Sequence, residues 1–330
     1  MGWSDRWEPH LAEYEFGEAG RVLRHDGTAV LVATEKGSAH IALARSTPQI
    51  AVGDWLVVDG EAIVDILPRA SLLQRRDPST GDSQPIAANV DLVGIVCGLD
   101  RPVSLGRIQR FTSLAWDAGA TPIVILTKAD LVEGTVESEE AIRHYDPAAE
   151  IFSVSSTTMV GIANLLDRCV GQTLVLVGES GAGKSRLLNA LAGRELGDTG
   201  SVRQGDHKGR HTTTARQLHS LTGNCCLIDT PGVREVGIHT DIATIDSGFA
   251  DIADFAQGCR FNDCGHGSEP GCEVQSALVD GRLSLERFES WSQLRREAAW
   301  AELRADPAAN HRANRQLGRL YREAKRSKRP

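Results

Sequence analysis

Residues 178–185 limit the possible folds of this chain more than any other part of the sequence. They read GESGAGKS, which matches the pattern G-x-x-x-x-G-K-[ST], and they lie between the apolar run TLVLV and the helix-forming run SRLLNALAG. Glycines allow such a loop to turn its backbone N–H groups toward a phosphate at the positive end of a helix. The context predicts a nucleotide-binding α/β domain in which Lys184 contacts the β- and γ-phosphates and assists catalysis, while the Ser185 hydroxyl binds Mg²⁺. The candidate nucleotide ligands of this loop are Gly178, Glu179, Ser180, Gly181, Ala182, Gly183, Lys184 and Ser185.

Two further motifs follow this phosphate loop. The apolar run 225–228 leads into DTPG, where Asp229 is a candidate magnesium ligand and the Gly232 N–H is a candidate contact, with a catalytic role, to the γ-phosphate. Between the phosphate loop and DTPG lies GRHTTT at 209–214, which is either a polar threonine-rich loop or a first switch. As a switch it would contact the nucleotide through Thr212, Thr213 and Thr214, with Thr213 as a magnesium ligand.

The base-recognition element lies upstream of the phosphate loop. Thr127-Lys128-Ala129-Asp130 directly follows the run TPIVIL, and Ser155 and Ser156 follow EIFSV. The Asp130 carboxylate would accept two hydrogen bonds from guanine that adenine cannot donate, and Lys128 would pack over the base and brace the phosphate loop. Thr127 stands where Asn is more usual, and the serines would supply a backbone contact to guanine O6. A Lys-x-Asp pair is usually solvated surface charge, but both segments follow strand ends, in the correct mutual order.

Moving residues 91–169 behind the rest of the domain restores the usual GTPase motif order. Strands expected at 92–97, 122–126, 151–154, 173–177 and 225–228 alternate with helical runs at 104–118, 161–169 and 185–192, which predicts a parallel sheet with crossover helices. The sequence therefore predicts a circularly permuted P-loop GTPase, a rearrangement that such a sheet tolerates when its original ends lie close together.

The position after DTPG holds Val233, where many GTPases carry the Gln that orients the attacking water. An apolar side chain cannot orient water, so slow intrinsic hydrolysis is expected. His211 is the local candidate for a catalytic group. The alternatives are a structural or partner-contacting role for His211 and activation by a partner.

Cys259, Cys264, His266 and Cys272 lie within fourteen residues. Three thiolates and one imidazole form a closed tetrahedral set suited to one structural Zn²⁺ ion. Unmetallated thiols or a disulfide are the alternative. The other cysteines lie in apolar runs and are expected in the core.

The segments around the α/β region predict a multidomain chain. Short alternating runs between residues 20 and 69 favour a small β-barrel such as an OB-fold, with structural and nucleic-acid-binding roles equally open. The expected domains are a loose N-terminal arm at 1–19, the OB-fold barrel at 20–75, a linker at 76–90, the permuted GTPase domain at 91–245 and a mainly helical zinc-binding domain at 246–330.

The net charge of −8 excludes a generic DNA-coating protein. Residues 312–330 nevertheless hold eight Lys or Arg and one acidic residue, which predicts either a phosphate-facing helix or a solvated tail. The first residues, MGWSDRWEPH, carry charges where a signal peptide needs an apolar run. A monomer in a reducing cytoplasm, without membrane contact, is expected.

The ordered set TKAD, VSS, GESGAGKS, GRHTTT, DTPGV and C-x₄-C-x-H-x₅-C resembles the bacterial ribosome small subunit-dependent GTPase A family (RsgA/YjeQ) over nearly the whole chain. The resemblance implies binding to the small ribosomal subunit and its rRNA, GTPase stimulation by that subunit and a role in its late maturation, with GTP or GDP, Mg²⁺ and one Zn²⁺ as cofactors. Two other functions stay open: a P-loop ATPase or kinase, and a nucleotide-dependent or non-enzymatic RNA-binding protein that does not act on the ribosome.

Overall fold

The computed structural model describes residues 1–44, 47–76, 83–196, 216–229, 245–246, 249–261, 263–267 and 269–305. The chain divides into two compact units. The first consists of Met1–Arg75 and Gln84–Val236, and the second of Arg76–Ser83 and Gly237–Pro330.

A five-stranded barrel opens the first unit, as the alternating runs predict. Its strands are β1 Glu18–His25, β2 Ala29–Thr34, β3 Gly37–Ala42, β4 Trp55–Asp59 and β5 Ala62–Ile66. Strand β1 pairs antiparallel with β2 and β4, β2 pairs with β3, β4 pairs with β5, and β3 lies against β5. The resulting circular order, β1-β2-β3-β5-β4, is that of a Greek-key barrel of the OB type. Val22, Val32 and Leu56 lie in its buried core.

The expectation of a loose arm at residues 1–19 is wrong. Two short helices precede β1, a 3-10 helix at Asp5–Trp7 and helix α1 at Glu8–Leu11. The Trp7 side chain is buried, and the rings of Trp3 and Trp7 lie 4.8 and 5.7 Å from that of Trp55 on the barrel. Aromatic side chains bury large areas, so this cluster fixes the segment to the barrel even though its helices are too short to show a periodic pattern.

The expectation of an unpatterned linker at 76–90 is also wrong in part. Strands β6 Leu72–Arg76 and β7 Ser83–Ala88 form a two-stranded sheet, and Val52 forms a parallel bridge with Ala87. The Pro, Ser and Gly residues of this stretch conceal the strand in the sequence.

The α/β core of the first unit follows. Its elements are β8 Leu92–Gly98, α2 Leu105–Asp117, β9 Thr121–Thr127, α3 Val136–Tyr145, β10 Ile151–Ser153, α4 Ile162–Arg168, β11 Thr173–Gly178, α5 Lys184–Ala192, β12 Gln217–Ser220 and β13 Cys226–Asp229. Strands β10-β9-β8-β11-β13 are parallel in this order. The predicted strands and helices of this region are present, because parallel strands covered on both faces read as continuous apolar runs.

Strand β12 is a further element that the sequence patterns missed. It pairs antiparallel with β13 on one side and with β1 of the barrel on the other, with Arg24 opposite Gln217. The α/β sheet therefore continues into the barrel. A four-residue strand carries too little pattern to be recognised from the sequence.

Arg21 of β1 lies at this junction and is 1% exposed. Its guanidinium donates to the Thr173 hydroxyl at 2.8 Å and to the Asn89 carbonyl oxygen at 3.2 Å, and it lies 5.2 Å from the Trp55 ring. Burial lowers the pKa of Arg21. A buried charge is tolerated only when hydrogen bonds compensate for lost water, so Arg21 ties the barrel to the first residue of β11.

The second unit is helical over its described residues between 245 and 305, as predicted. Its helices are α6 Ala250–Gln257, α7 Glu273–Val279 and α8 Leu285–Ala305. Phe249, Ile252, Val274 and Trp291 form the centre of its core. None of the helices in the described ranges combines the length and the apolar character that crossing a membrane requires.

Candidate functional site

The phosphate loop lies between β11 and α5. Gly178 has a φ of 140°, and a Cβ at this position would overlap the Val96 carbonyl oxygen of the neighbouring strand. Gly183 precedes the first residue of α5 and has a φ of 93°. Both conformations are in the region that glycine adopts without steric cost, so the loop needs these two residues for its shape.

The Lys184 ammonium group is folded into the loop. Its Nζ donates to the Gly178 carbonyl oxygen at 2.7 Å and to the Glu179 carbonyl oxygen. Ser185 follows at the exposed start of α5. The lysine charge and the first N–H groups of the helix therefore lie at one place, which is the arrangement that attracts a phosphate group.

The guanine motif is joined directly to the phosphate loop. The Thr127 hydroxyl, at the end of β9, donates to the Ala182 carbonyl oxygen at 2.5 Å. Lys128 has a φ of 61°, and its Nζ donates to the Gly181 carbonyl oxygen at 2.7 Å. Thr127 therefore holds the loop through its hydroxyl, and Lys128 braces it. These bonds link segments more than fifty residues apart in the chain.

Asp130 is positioned by the serine that follows β10. The Ser155 hydroxyl donates to Asp130 Oδ1 at 2.5 Å and accepts the backbone N–H groups of Thr157 and Thr158 at 3.2 and 3.1 Å. Ser155 is buried, whereas Asp130 is exposed. The other carboxylate oxygen, Oδ2, has no hydrogen-bond partner among the residues that the structure describes. Ser156 lies next to Ser155 and is half-buried.

Asp229 ends β13, opposite Gln217 of β12. Burial raises the pKa of its carboxyl group. A nearby cation would favour the ionised form and oppose this shift. The other candidates from these motifs lie outside the described residues, namely His211, Thr212, Thr213, Thr214 and Gly232.

Sequence patterns did not identify the residues after β8 as part of this site. Asp100 forms an ion pair with Lys128 at 2.8 Å, and Arg107 of α2 forms one with Glu179 at 2.6 Å. Arg101 lies between Asp100 and Glu179. The signal available in the sequence was only their place after a parallel strand, since the carboxyl ends of such strands meet at one edge of the sheet.

The second unit contains a separate cluster of metal-ligand residues. The ligand atoms of Cys259, Cys264, His266 and Cys272 all lie within 4.8 Å of one another. The Cys259 and Cys272 sulfurs are 3.8 Å apart, and each is 3.5 Å from His266 Nδ1. Tetrahedral bonds of about 2.3 Å to sulfur and about 2.05 Å to nitrogen require about 3.8 Å between sulfurs and about 3.6 Å from sulfur to nitrogen. The three distances among Cys259, His266 and Cys272 match those of a tetrahedral zinc site, and the Cys264 sulfur lies within 4.8 Å of the other ligand atoms.

The environment of His266 also suits a metal ligand. Burial, with a smaller contribution from Arg295, lowers the pKa of His266. This shift favours the neutral imidazole, which is the form that binds metals. The Cys272 Sγ accepts the Gln275 N–H at 3.5 Å, so this ligand also caps the start of α7.

The guanine motif follows β9, which comes before the phosphate loop in the chain, and it is bonded to that loop across a parallel sheet. This arrangement defines a circularly permuted P-loop GTPase. The family model described as RsgA GTPase matches residues 66–239. A relative from Vibrio parahaemolyticus, named small ribosomal subunit biogenesis GTPase RsgA 2, is 38% identical over 100% of this chain and 93% of its own length. The chain belongs to the RsgA GTPase family.

Two other comparisons agree with this assignment, and a third supports the fold. A relative from Streptomyces coelicolor, named small ribosomal subunit biogenesis GTPase RsgA, is 39% identical over 98% of this chain and 94% of its own length. The crystal structure of YjeQ from Thermotoga maritima is 26% identical, with a TM-score of 0.63 over 86% of this chain and 99% of that chain. The crystal structure of YloQ, titled a circularly permuted GTPase, has a TM-score of 0.58 at 22% identity and supports the fold.

A model described as ABC transporter matches residues 166–318. This range contains the phosphate loop, which many classes of nucleotide-binding protein share, and excludes Lys128 and Asp130. Because the guanine motif lies outside the matched range and is bonded to the loop, the match does not change the assignment.

Proposed function

We propose that this chain hydrolyses GTP to GDP and phosphate as a switch in the late maturation of the small ribosomal subunit. The observation that carries the GTPase part is the pair of bonds from Thr127 and Lys128 to the phosphate loop, because they couple base recognition to phosphate binding. The ribosomal part is supported by the names of relatives that are 38 to 39% identical over nearly the whole chain.

In this proposal the nucleotide spans the carboxyl edge of the sheet. Asp130 accepts the guanine N1 and N2 hydrogen bonds, Lys128 lies along the base, and the Ser155–Ser156 backbone faces O6. Lys184 and the loop amides hold the phosphates. Ser185, Asp229 and Thr213 ligate Mg²⁺, which supplies charge stabilisation at the phosphates when bound, while Gly232 and Thr212 to Thr214 sense the γ-phosphate.

The cluster in the second unit is proposed to hold one structural Zn²⁺ ion through Cys259, Cys264, His266 and Cys272. The distances among Cys259, His266 and Cys272 fit the ion, and four protein ligands would leave no position for a reacting water. The ion is therefore assigned to folding of this unit and not to catalysis.

The partners are proposed to be the small subunit and its rRNA, met in the cytoplasm by a monomer. The acidic net charge of the chain opposes a general attraction to RNA. Binding would therefore depend on local basic surface, for which the basic stretch at 312–330, outside the described residues, is the candidate.

The test is GTP hydrolysis by the purified chain alone, with small subunits and with large subunits. We expect slow turnover alone, because Val233 replaces the water-orienting Gln, and strong stimulation by small subunits only. GTP binding without stimulation by either subunit would reject the ribosomal role and would direct the search to another activating partner. Absence of GTP binding would reject the GTPase proposal itself.

His211 is proposed to orient the attacking water in place of the missing Gln. Replacing it with Ala is expected to lower turnover by about 10²-fold or more, as loss of a general acid–base group does, with little change in GTP affinity. Stimulated turnover measured beside nucleotide affinity checks this expectation. Equal turnover in the variant and the parent chain would remove His211 as the catalytic group.

A further inference from the structure

Three charged residues beside the phosphate loop, Asp100, Arg101 and Arg107, belong to none of the motifs described so far. Glu179, the first variable residue of the loop, pairs with Arg107 Nη2 at 2.6 Å and lies 3.7 Å from Arg101 Nη1. Arg101 Nη2 is also 3.4 Å from Asp100, whose other ion pair is to Lys128 at 2.8 Å. Arg101 thus lies between two carboxylates, and its distances to both are longer than those of their other partners.

The Arg101 guanidinium also lies directly beside the backbone of the loop. A Cβ placed on Gly181 would lie 3.5 Å from Arg101 Nη2, and apart from its chain neighbours no other heavy atom of the described residues would lie within 4 Å. Gly181 is in the part of the loop that cradles phosphates, and its carbonyl oxygen is held by Lys128. The Arg101 side chain is 46% exposed, so its guanidinium can turn without leaving a buried charge.

We propose that Arg101 is a catalytic arginine supplied by the chain itself, which contacts the nucleotide phosphates and stabilises the charge of the transition state. This inference rests on the proposed GTP hydrolysis. In that reaction the oxygen of water forms a bond to the γ-phosphorus, and the bond from that phosphorus to the β–γ bridging oxygen breaks. The bond's electron pair leaves with GDP, and the proton lost by water passes to phosphate or solvent. Arg101 would donate to the phosphate oxygens that gain negative charge.

The nucleotide phosphates would compete with Asp100 and Glu179 for the Arg101 guanidinium and would draw it toward the phosphate loop. Exposed ion pairs contribute little, so the two long contacts to Asp100 and Glu179 hold the guanidinium only weakly. A triphosphate carries several negative charges at one place, and guanidinium binds phosphate oxygens with two parallel hydrogen bonds. Arg101 would then contact Glu179 only when the site is empty. Arg107 would hold the Glu179 carboxylate whether or not the nucleotide is bound.

The test uses three variants of the full chain. Arg101→Ala removes the proposed group, Arg107→Ala removes the closer partner of Glu179, and Arg24→Ala removes an arginine of an exposed ion pair on the barrel, at 2.7 Å from Asp26. Single-turnover GTP hydrolysis is measured with and without small subunits. Affinities for GDP and for a non-hydrolysable GTP analogue are measured for each, and thermal unfolding midpoints verify that all variants are folded.

We expect Arg101→Ala to lower the hydrolysis rate by about 10²-fold, as loss of one donor to a developing charge does. GDP affinity should change by less than about fivefold, because only an exposed contact is lost. Arg24→Ala should match the parent chain, and Arg107→Ala should lose less of the hydrolysis rate than Arg101→Ala. This pattern would support a contact made in the transition state.

Two results would overturn the inference. One is hydrolysis by Arg101→Ala at the rate of the parent chain. The other is an equal loss in Arg101→Ala and Arg107→Ala, accompanied by an equal loss of GDP affinity, which would make Arg101 only a brace of the loop. Absence of hydrolysis by the parent chain is a different outcome, because it would reject the proposed function on which the inference rests.

Discussion

Replacing Cys272 with serine is expected to unfold the second unit while the first unit stays folded. The Cys272 side chain is buried in the core that Phe249, Val274 and Trp291 also form. Binding of a structural Zn²⁺ ion contributes about 10–16 kcal/mol to the folding free energy of isolated zinc-finger peptides. A unit with few helices has little apolar core to replace that contribution. Loss of one thiolate should therefore abolish stable metal binding and with it the packing of α7 and α8.

Zinc content and amide hydrogen exchange measure this effect together. The parent chain should hold one ion, and α7 and α8 should be protected from exchange. In Cys272→Ser both should be lost, while exchange of β8 and β11 in the first unit should not change. A chelator added to the parent chain should reproduce the result.

Cys97→Ser is the matched control. Cys97 lies on β8 of the first unit and is not one of the four residues whose ligand atoms lie within 4.8 Å of one another. This variant should keep one zinc ion per chain. Full metal content and full protection in Cys272→Ser would contradict the assignment of Cys272 as a zinc ligand.

The second large effect is expected from Asp130→Asn. A carboxylate accepts both the N1 and the N2 hydrogen bonds of guanine, and hydrogen bonds to a charged group contribute about 1.5–3 kcal/mol each. Loss of both corresponds to a decrease in GTP affinity of roughly 10²- to 10⁴-fold. ATP affinity should stay low, because adenine cannot donate the two hydrogen bonds to either side chain.

The structure also predicts the orientation of the new amide. The Ser155 hydroxyl donates to Asp130 Oδ1 at 2.5 Å, so the asparagine oxygen should remain on Ser155 and the amide nitrogen should face the base. An N–H donor opposes the guanine N2 amino group but matches the carbonyl that xanthine carries at this position. Asp130→Asn should therefore bind XTP more tightly than GTP.

Titration with GTP, XTP and ATP analogues tests this expectation. Asp26→Asn, which changes an exposed barrel carboxylate paired with Arg24, is the control and should keep the GTP preference of the parent chain. An unchanged GTP affinity in Asp130→Asn would show that the carboxylate does not bind guanine and would remove the main reason to prefer GTP over ATP.

The sequence by itself determined the parts of this protein whose signals are local. The strand, loop and helix around Lys184 follow one another in the chain, so their apolar runs and glycines were sufficient to predict them. The order of the TKAD and GESGAGKS motifs was sufficient to predict the permutation. Close spacing likewise predicted the four-residue cluster whose ligand atoms the structure brings within 4.8 Å.

Only the tertiary structure decided which distant residues meet. Trp7 was assigned to a loose arm because helices this short have no period, and its partner Trp55 is on a barrel strand. Arginine is a residue type usually found at the surface, but the order of the strands buries Arg21 against Thr173. Arg101 meets the phosphate loop because β8 pairs directly with β11. Such contacts depend on strand order, and strand order results from the packing of the whole sheet, so no local pattern contains it.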